Sequence, residues 1–234
     1  MEGIQPYGTR KPRKGVFSCE MIGRRWITER AFEVELRRPS GFDFSSGQNI
    51  SFHHKGVQRY YSLISTPSDR VLELCIQKIP GGVFTPFIAE AEVGSVFEIA
   101  GPYGYFTFRP SERPPVFVAT EIGVAPFLSF ARSGVRGFIL IHQALREEEL
   151  YYRDVFQKTA SAYVPLIEDK KKSGPEDGGL SPSDVIAYLS SRLPIRTYDF
   201  YLCGRQEMIR DVTLFADEWF PGSMVFTEIF YRSE

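Results

Sequence analysis

The hydrophobic period of this chain changes once, near its middle, and that change constrains the fold more than any other feature. From Val16 to about Phe108 the apolar residues fall in short β-rich runs: Phe17–Ile22, Ala31–Arg37, Gln48–His53, Arg59–Ser65, Val71–Gln77 and Val96–Ala100. Gly, Pro and Ser separate them, and six strands so spaced predict an antiparallel barrel or sandwich. One helix interrupts the series, with Thr85 as N-cap and Pro86 in its first turn. Arg109–Pro115 (RPSERPP) then carries proline and charge instead of periodicity and reads as a linker. Beyond it, strand-type runs at Val116–Thr120, Phe138–His142, Val164–Ile167, Asp199–Leu202 and Met224–Ile229 alternate with helical stretches near Pro126–Ser133, Glu147–Lys158, Pro182–Arg192 and Gln206–Glu218. Such alternation predicts a parallel α/β sheet. The expected division is a tail at 1–15, a barrel at 16–108, a linker at 109–115 and an α/β unit at 116–234.

Composition narrows the function classes. At 43% hydrophobic and 24% charged, the 234 residues suit one large or two small soluble domains, not a disordered, collagen-like or membrane-spanning chain. Lys and Arg total 28 against 29 Asp and Glu, a balance that argues against a general nucleic-acid binder. Cys19, Cys75 and Cys203 are odd in number and widely spaced, which predicts a reducing compartment, by default the cytoplasm. Three thiols cannot ligate an iron–sulfur cluster alone, and His53, His54 and His142 lack zinc-site spacing, so no metal site is expected. Met1–Ser18 is basic without an apolar run, unlike a signal peptide or an anchor. Aromatic residues make up 15% of the chain, a supply that suits either a flat ligand or a β-rich core.

Two segments in the first half can carry chemistry. Arg59-Tyr60-Tyr61-Ser62 sets a cation, an aromatic plane and a hydroxyl on one strand, with Arg59 and Tyr61 expected on one face and Tyr60 and Ser62 on the other. An ordinary strand with aromatic core packing fits the same four residues. Gly81-Gly82-Val83-Phe84-Thr85 places glycines before a helix start, where free N–H groups favour a phosphate; a tight turn with a cap is the plainer reading.

Taken together these segments resemble the ferredoxin-NADP reductase superfamily, whose flavin domain carries Arg-x-Tyr-Ser, then Gly-Gly-x-x-Ser or Thr, then Gly-Pro-x-Gly-x-Phe. All three stand here in order, the last as Gly101-Pro102-Tyr103-Gly104-Tyr105-Phe106. The resemblance continues through Val116–Phe127 (VFVATEIGVAPF), similar to a dinucleotide turn written Thr-Gly-x-Gly-Ile-Ala-Pro, through Tyr201-Leu202-Cys203-Gly204 with Met208, and through Glu228-Ile229-Phe230-Tyr231. It implies a six-stranded antiparallel β-barrel that binds FAD, followed by a parallel α/β domain that binds NADH or NADPH. The implied FAD contacts are Arg59, Tyr60, Tyr61, Ser62, Cys75, Ile76, Lys78, Gly82, Val83, Phe84, Thr85, Thr120 and Phe230. The implied NAD(P)H contacts are Gly123, Val124, Arg146, Cys203, Gly204 and Met208. Ser62, Cys203 and Glu228 carry the implied catalysis: Ser62 at flavin N5, Cys203 in nicotinamide placement, and Glu228 relaying a proton or orienting the other two. Ser46-Gly47-Gln48 resembles an entry to a barrel strand and is assigned structure alone.

Two departures bear on the nucleotide. Glu121 stands where the family has the first glycine of its turn, and a carboxylate about 4 Å from a pyrophosphate would cost roughly 1 to 4 kcal/mol per charge pair unless it turns away or pairs with Arg146 or Arg205. Leu145 stands where the family often has the arginine for a 2′-phosphate, and Glu147, Glu148 and Glu149 would oppose that group, so NADH against NADPH stays open.

The expected function is a flavoprotein reductase that takes hydride from NAD(P)H and passes electrons to a separate protein, a ferredoxin, a flavodoxin or an oxygenase component. Arg10, Lys11, Arg13, Lys14, Arg24 and Arg25 form a docking patch for an acidic partner or a solvated basic tail. A flavin-binding electron-transfer or regulatory module that no longer uses nicotinamide, and a two-part protein without flavin, are the alternatives.

Overall fold

The computed structural model describes residues 15–54, 56–167 and 181–230. The basic residues Arg10, Lys11, Arg13 and Lys14, the charged stretch 168–179 and Tyr231 lie outside them.

Six strands, β1 (Gly15–Trp26), β2 (Ala31–Arg37), β3 (Asn49–His54), β4 (Val57–Ser62), β5 (Val71–Gln77) and β6 (Val96–Tyr103), form one antiparallel sheet in the order β4-β3-β6-β1-β2-β5. An antiparallel bridge between Leu63 and Leu74 joins the two ends of that order and curls the sheet into a barrel. Alternation drives the closure. In β2, Phe32, Val34 and Leu36 point inward while Glu35 and Arg37 point out, and they pack with Phe52, Leu74 and Ile99 in the barrel core. β1 is longer than its apolar run predicted because it serves two neighbours, pairing β6 through Glu20 and β2 from Met21, with a register shift between Met21 and Gly23.

The second sheet is parallel: β7 (Pro115–Thr120), β8 (Ile139–Ala144), β9 (Ala162–Ile167), β10 (Asp199–Gly204) and β11 (Met224–Ile229), in the order β11-β10-β7-β8-β9. Helices α2 (Ala125–Arg132), α3 (Arg153–Thr159), α4 (Ser183–Arg192) and α5 (Gln206–Trp219) cover it, which explains why β10 is buried along its whole length. The direction of strand addition reverses between β7 and β10, and at such a reversal the carboxyl ends diverge to leave a crevice.

The segment read as a linker is tied down. The Arg109 N–H donates to Tyr201 Oη at 3.0 Å, and both Ser111 and Arg113 hydrogen-bond the buried Asp199. One apolar cluster draws Ala31, Ile64 and Cys75 from the barrel side together with Phe117, Phe130 and Tyr201 from the parallel sheet. Ser129 Oγ also donates to Ser65 O at 2.7 Å across that boundary.

Two local expectations are corrected. Thr85 does not cap the interrupting helix, α1 (Thr85–Glu90); Phe84 occupies the cap position, and Thr85 Oγ1 accepts the Ile79 N–H at 2.9 Å, closing the glycine turn instead. The single helix expected over Glu147–Lys158 is a 3-10 turn at Glu147–Glu149 followed by α3, with Tyr152 between them at φ 60°. Glu149 is fully buried and pairs with Arg30 of the barrel side at 3.4 Å, so docking overrides the helical pattern. Arg24 and Arg25 are engaged within the barrel, Arg24 donating to Ala91 O at 2.6 Å and Arg25 pairing with Glu33 at 2.6 Å. Among the described residues no helix is long and apolar enough to cross a membrane.

Candidate active site

A cleft of about 790 Å³ opens between the barrel's edge strand β4, the turn leading into α1, and the carboxyl ends of β7, β10 and β11. Arg59, Tyr60, Tyr61 and Ser62 all line it. Alternation divides them as expected, with Arg59 and Tyr61 opposite the core residues Phe52 and Ile50 and Tyr60 and Ser62 on the other face; all four still line the cleft because β4 is hydrogen-bonded by β3 along one edge and its other edge faces the cleft. Tyr60 is exposed and meets Tyr103 edge-on, Tyr61 stacks on Phe84 at 5.8 Å between centroids, and Ser62 is buried at the inner end.

At that inner end three side chains from both sheets converge. Glu228, on β11, accepts a hydrogen bond from Asn49 Nδ2 at 2.9 Å on Oε1 and one from Ser62 Oγ at 3.3 Å on Oε2. Burial pushes the Glu228 carboxyl up to about 7, with the two hydrogen bonds opposing it in part. Asn49 Oδ1 is buried without a hydrogen-bond partner and lies in a residue that lines the cleft, an acceptor suited to an N–H of a bound ring. The Gly101–Phe106 motif supports this group: Gly104 has φ 89°, and a Cβ there would stand 3.0 Å from Asn49 Nδ2. Cys203 pairs in register with Glu228 on the neighbouring strand but is fully buried beneath the cleft, and burial holds its thiol well above its ordinary value, with the Glu228 charge adding to the effect.

The opposite wall is the turn before α1. Gly81 has φ 75° with open space where a Cβ would be, and its neighbour Gly82 donates its N–H to Ile79 O at 3.0 Å. With Val83, which is exposed, these residues form a backbone-lined lip suited to a close-lying polar ligand.

Across the crevice, Thr120 Oγ1 accepts the Arg205 N–H at 2.9 Å, and Gly204, at φ 133°, leaves that hydroxyl its space. Glu121 begins a 3-10 turn (Glu121–Val124) at φ 49° and pairs with Arg205 at 3.0 Å, the second of the two partners its position suggested; Arg146 pairs with Glu148 at 3.7 Å. Gly123 lets the turn approach β10, because a Cβ there would collide with the Cys203 carbonyl.

Residues 27–108 match the family described as Oxidoreductase FAD-binding domain. A ferredoxin-NADP reductase of Neisseria gonorrhoeae, solved with bound FAD and NADP, matches with a TM-score of 0.74 at 22% identity, over 92% of this chain and 99% of that one. Over residues 27–108 the chain is therefore similar to the oxidoreductase FAD-binding domain, and its fold is similar to that of a ferredoxin-NADP reductase. Among curated relatives, the ferredoxin–NAD(P)(+) reductase component of a naphthalene 1,2-dioxygenase system from Pseudomonas putida is 28% identical over 219 residues, covering 83% of this chain and 66% of that protein. Ferredoxin–NADP reductase B of Sorangium cellulosum is 31% identical over 157 residues, covering 62% of this chain and 64% of that protein. The chain thus spans just under two-thirds of the length of either relative.

Of the residues that the resemblance implies, Cys75, Gly82, Val83, Phe84, Thr85, Thr120, Gly204, Glu228 and Phe230 line the same cleft as Arg59–Ser62. Six other expected side chains do not. Ile76 lies in the barrel core, Val124 and Met208 in the cores around the parallel sheet, and Cys203 beneath the floor. The Lys78 ammonium lies 5.9 Å from the centre of the Trp26 ring, and Arg146 turns to Glu148. Strand alternation and helix periodicity send the four apolar or small side chains inward, so only their backbone is left to meet a ligand. Asn49 was missed. It follows Ser46-Gly47-Gln48 directly, but its pairing with Glu228 spans 179 positions and has no local sequence signature.

Proposed function

We propose that this chain is a flavoprotein reductase in which FAD occupies the cleft, NAD(P)H is the electron donor, and a separate protein (a ferredoxin, a flavodoxin or an oxygenase component) is the acceptor. The observation that carries the proposal is the convergence of Ser62, Asn49 and Glu228 from two sheets at the cleft's inner end. When bound, FAD supplies the two-electron chemistry that no side chain of this chain provides. Asn49 Oδ1 offers an acceptor to the ring edge, Tyr61 a flat wall, Arg59 a cation for phosphate, and the Gly82–Thr85 turn a backbone surface that phosphate can approach closely. Ser62 Oγ stands between the cleft and Glu228 Oε2. A carboxyl near 7 holds its proton or gives it up at neutral pH, so the pair can relay a proton into the cleft through the Ser62 hydroxyl. Cys203 acts as a small uncharged floor under the crevice, which makes it a positioning residue and not a nucleophile.

The test is anaerobic mixing of the yellow, FAD-loaded protein with NADH and with NADPH. The proposal requires flavin bleaching by at least one of them, and Ser62→Ala should retain FAD while bleaching about tenfold more slowly. A second reading, a flavin module that no longer uses nicotinamide, is favoured by the buried Glu121–Arg205 pair, and persistent yellow colour at saturating nucleotide would select it.

A further inference from the structure

We propose that Glu121 is a resident anion that occupies Arg205 at the dinucleotide turn, so that a nucleoside diphosphate binds by displacing a carboxylate and this chain's nucleotide affinity is set by that exchange. The inference rests on the reading above that a dinucleotide enters the crevice between β7 and β10.

Position comes first. Thr120 and Gly204 end the two strands at which the sheet order reverses, and Glu121 and Arg205 are the next residues of each, both lining the cleft. An anion approaching the crevice between these carboxyl ends therefore meets Arg205.

The pair is also held. Glu121 is nearly buried and adopts φ 49°, a conformation natural for glycine and strained for glutamate. Its carbonyl accepts the His142 Nε2–H at 2.9 Å, and Tyr163 Oη lies 3.3 Å from His142 Nδ1, so the backbone of the turn is clamped from β8 and β9. Burial lowers His142 to about 4, which keeps the ring neutral and the clamp uncharged near pH 7. A backbone fixed in this way aims the Glu121 carboxylate at Arg205 Nη2, 3.0 Å away. The Arg205 N–H is bound to Thr120 Oγ1, so the base of its side chain is fixed as well.

The guanidinium is left incompletely used. Arg205 Nε is buried and has no hydrogen-bond partner among the described residues. Guanidinium groups take phosphate through two parallel N–H donors, and here Glu121 occupies one donor while the other stands idle. A diphosphate that takes Arg205 through two parallel donors engages the idle Nε and must displace Glu121 at Nη2, and the displaced carboxylate then repels it. Glycine at position 121 would accept the same φ with neither the strain nor the charge.

The experiment uses FAD-loaded protein and calorimetric titration with NAD+ and with ADP, on wild type, Glu121→Gln, Glu121→Gly, and Glu121→Gln combined with Arg205→Met, with melting temperatures checked for each. Glu121→Gln keeps the shape of the side chain and removes its charge, so NAD+ and ADP should bind about fivefold or more tightly than to wild type. Glu121→Gly should gain at least as much. Adding Arg205→Met should abolish the gain, because the freed cation is its source. Unchanged or weaker binding by Glu121→Gln and Glu121→Gly, in protein that keeps its FAD and melting temperature, would overturn the proposal, as would a gain that survives Arg205→Met. Bleaching of the wild-type flavin by NADH, recorded in parallel, separates the two levels: bleaching without a gain in the variants refutes the resident anion alone, whereas absence of both binding and bleaching in every variant removes the nicotinamide reading and the proposal with it.

Discussion

Replacing Glu228 by Gln should reverse part of the pH dependence of stability. The wild-type carboxyl is pushed from an ordinary 4.5 up to about 7, chiefly by burial. Between those values the folded chain holds a proton that the unfolded chain has released. Stability from this group is therefore complete below 4.5 and is lost as the pH rises through 7. A shift of that size corresponds to about 3 kcal/mol, and the flank of the residue that opens on the cleft lowers the expected effect to about 2 kcal/mol. Glutamine can still accept from Asn49 Nδ2 through its carbonyl oxygen and donate its amide to Ser62 Oγ, so the variant should fold with nearly wild-type stability at pH 5. Urea unfolding of flavin-stripped protein at pH 5 and pH 8 measures the difference. Glu228→Gln should gain about 2 kcal/mol over wild type between the two conditions. Parallel pH profiles for the two proteins would refute the reasoning, since they would mean that Glu228 ionises as an exposed carboxyl does.

His142 should act in the opposite sense: burial lowers it from 6.5 to about 4, so its contribution is complete above 6.5 and is lost as the pH falls through 4. In His142→Gln that acid-side loss should shrink by about 3 kcal/mol, read from unfolding at pH 7 against pH 4. Gly204→Ala should destabilise by about 2 kcal/mol and lower the melting temperature, because φ 133° disfavours a side chain and the new Cβ meets the Thr120 hydroxyl; an unchanged melting curve would show that the crevice relaxes freely. Arg113→Met should cost about 2 kcal/mol in denaturant unfolding by leaving the buried Asp199 without its cation, and adding Asp199→Asn should recover most of the loss.

Much of this molecule is legible without coordinates. The switch from short β runs to strand–helix alternation reflects what each residue needs locally, a buried face every second position or every third and fourth, and it survives in the two sheets. The Arg59–Ser62 and Gly81–Thr85 segments converge on one cleft as their residue types suggest, because a hydroxyl, a cation and bare glycine backbone carry their chemistry with them wherever the chain puts them. Contacts between distant segments are a different matter. Asn49 beside Glu228, Arg205 rather than Arg146 beside Glu121, and Glu149 breaking a helix to reach Arg30 depend on how the barrel and the parallel sheet lie against each other. The aromatic surplus was resolved at the same level: Tyr61 and Phe230 reach the cleft, while Phe117, Phe127, Phe130, Phe138 and Tyr201 pack together beneath it. Sequence alone determined which groups this protein possesses and the local structure each favours. Tertiary structure decided which of them meet, because a hydrogen bond or ion pair across 84 to 179 positions is set by the packing of whole sheets and leaves no mark in the residues beside it.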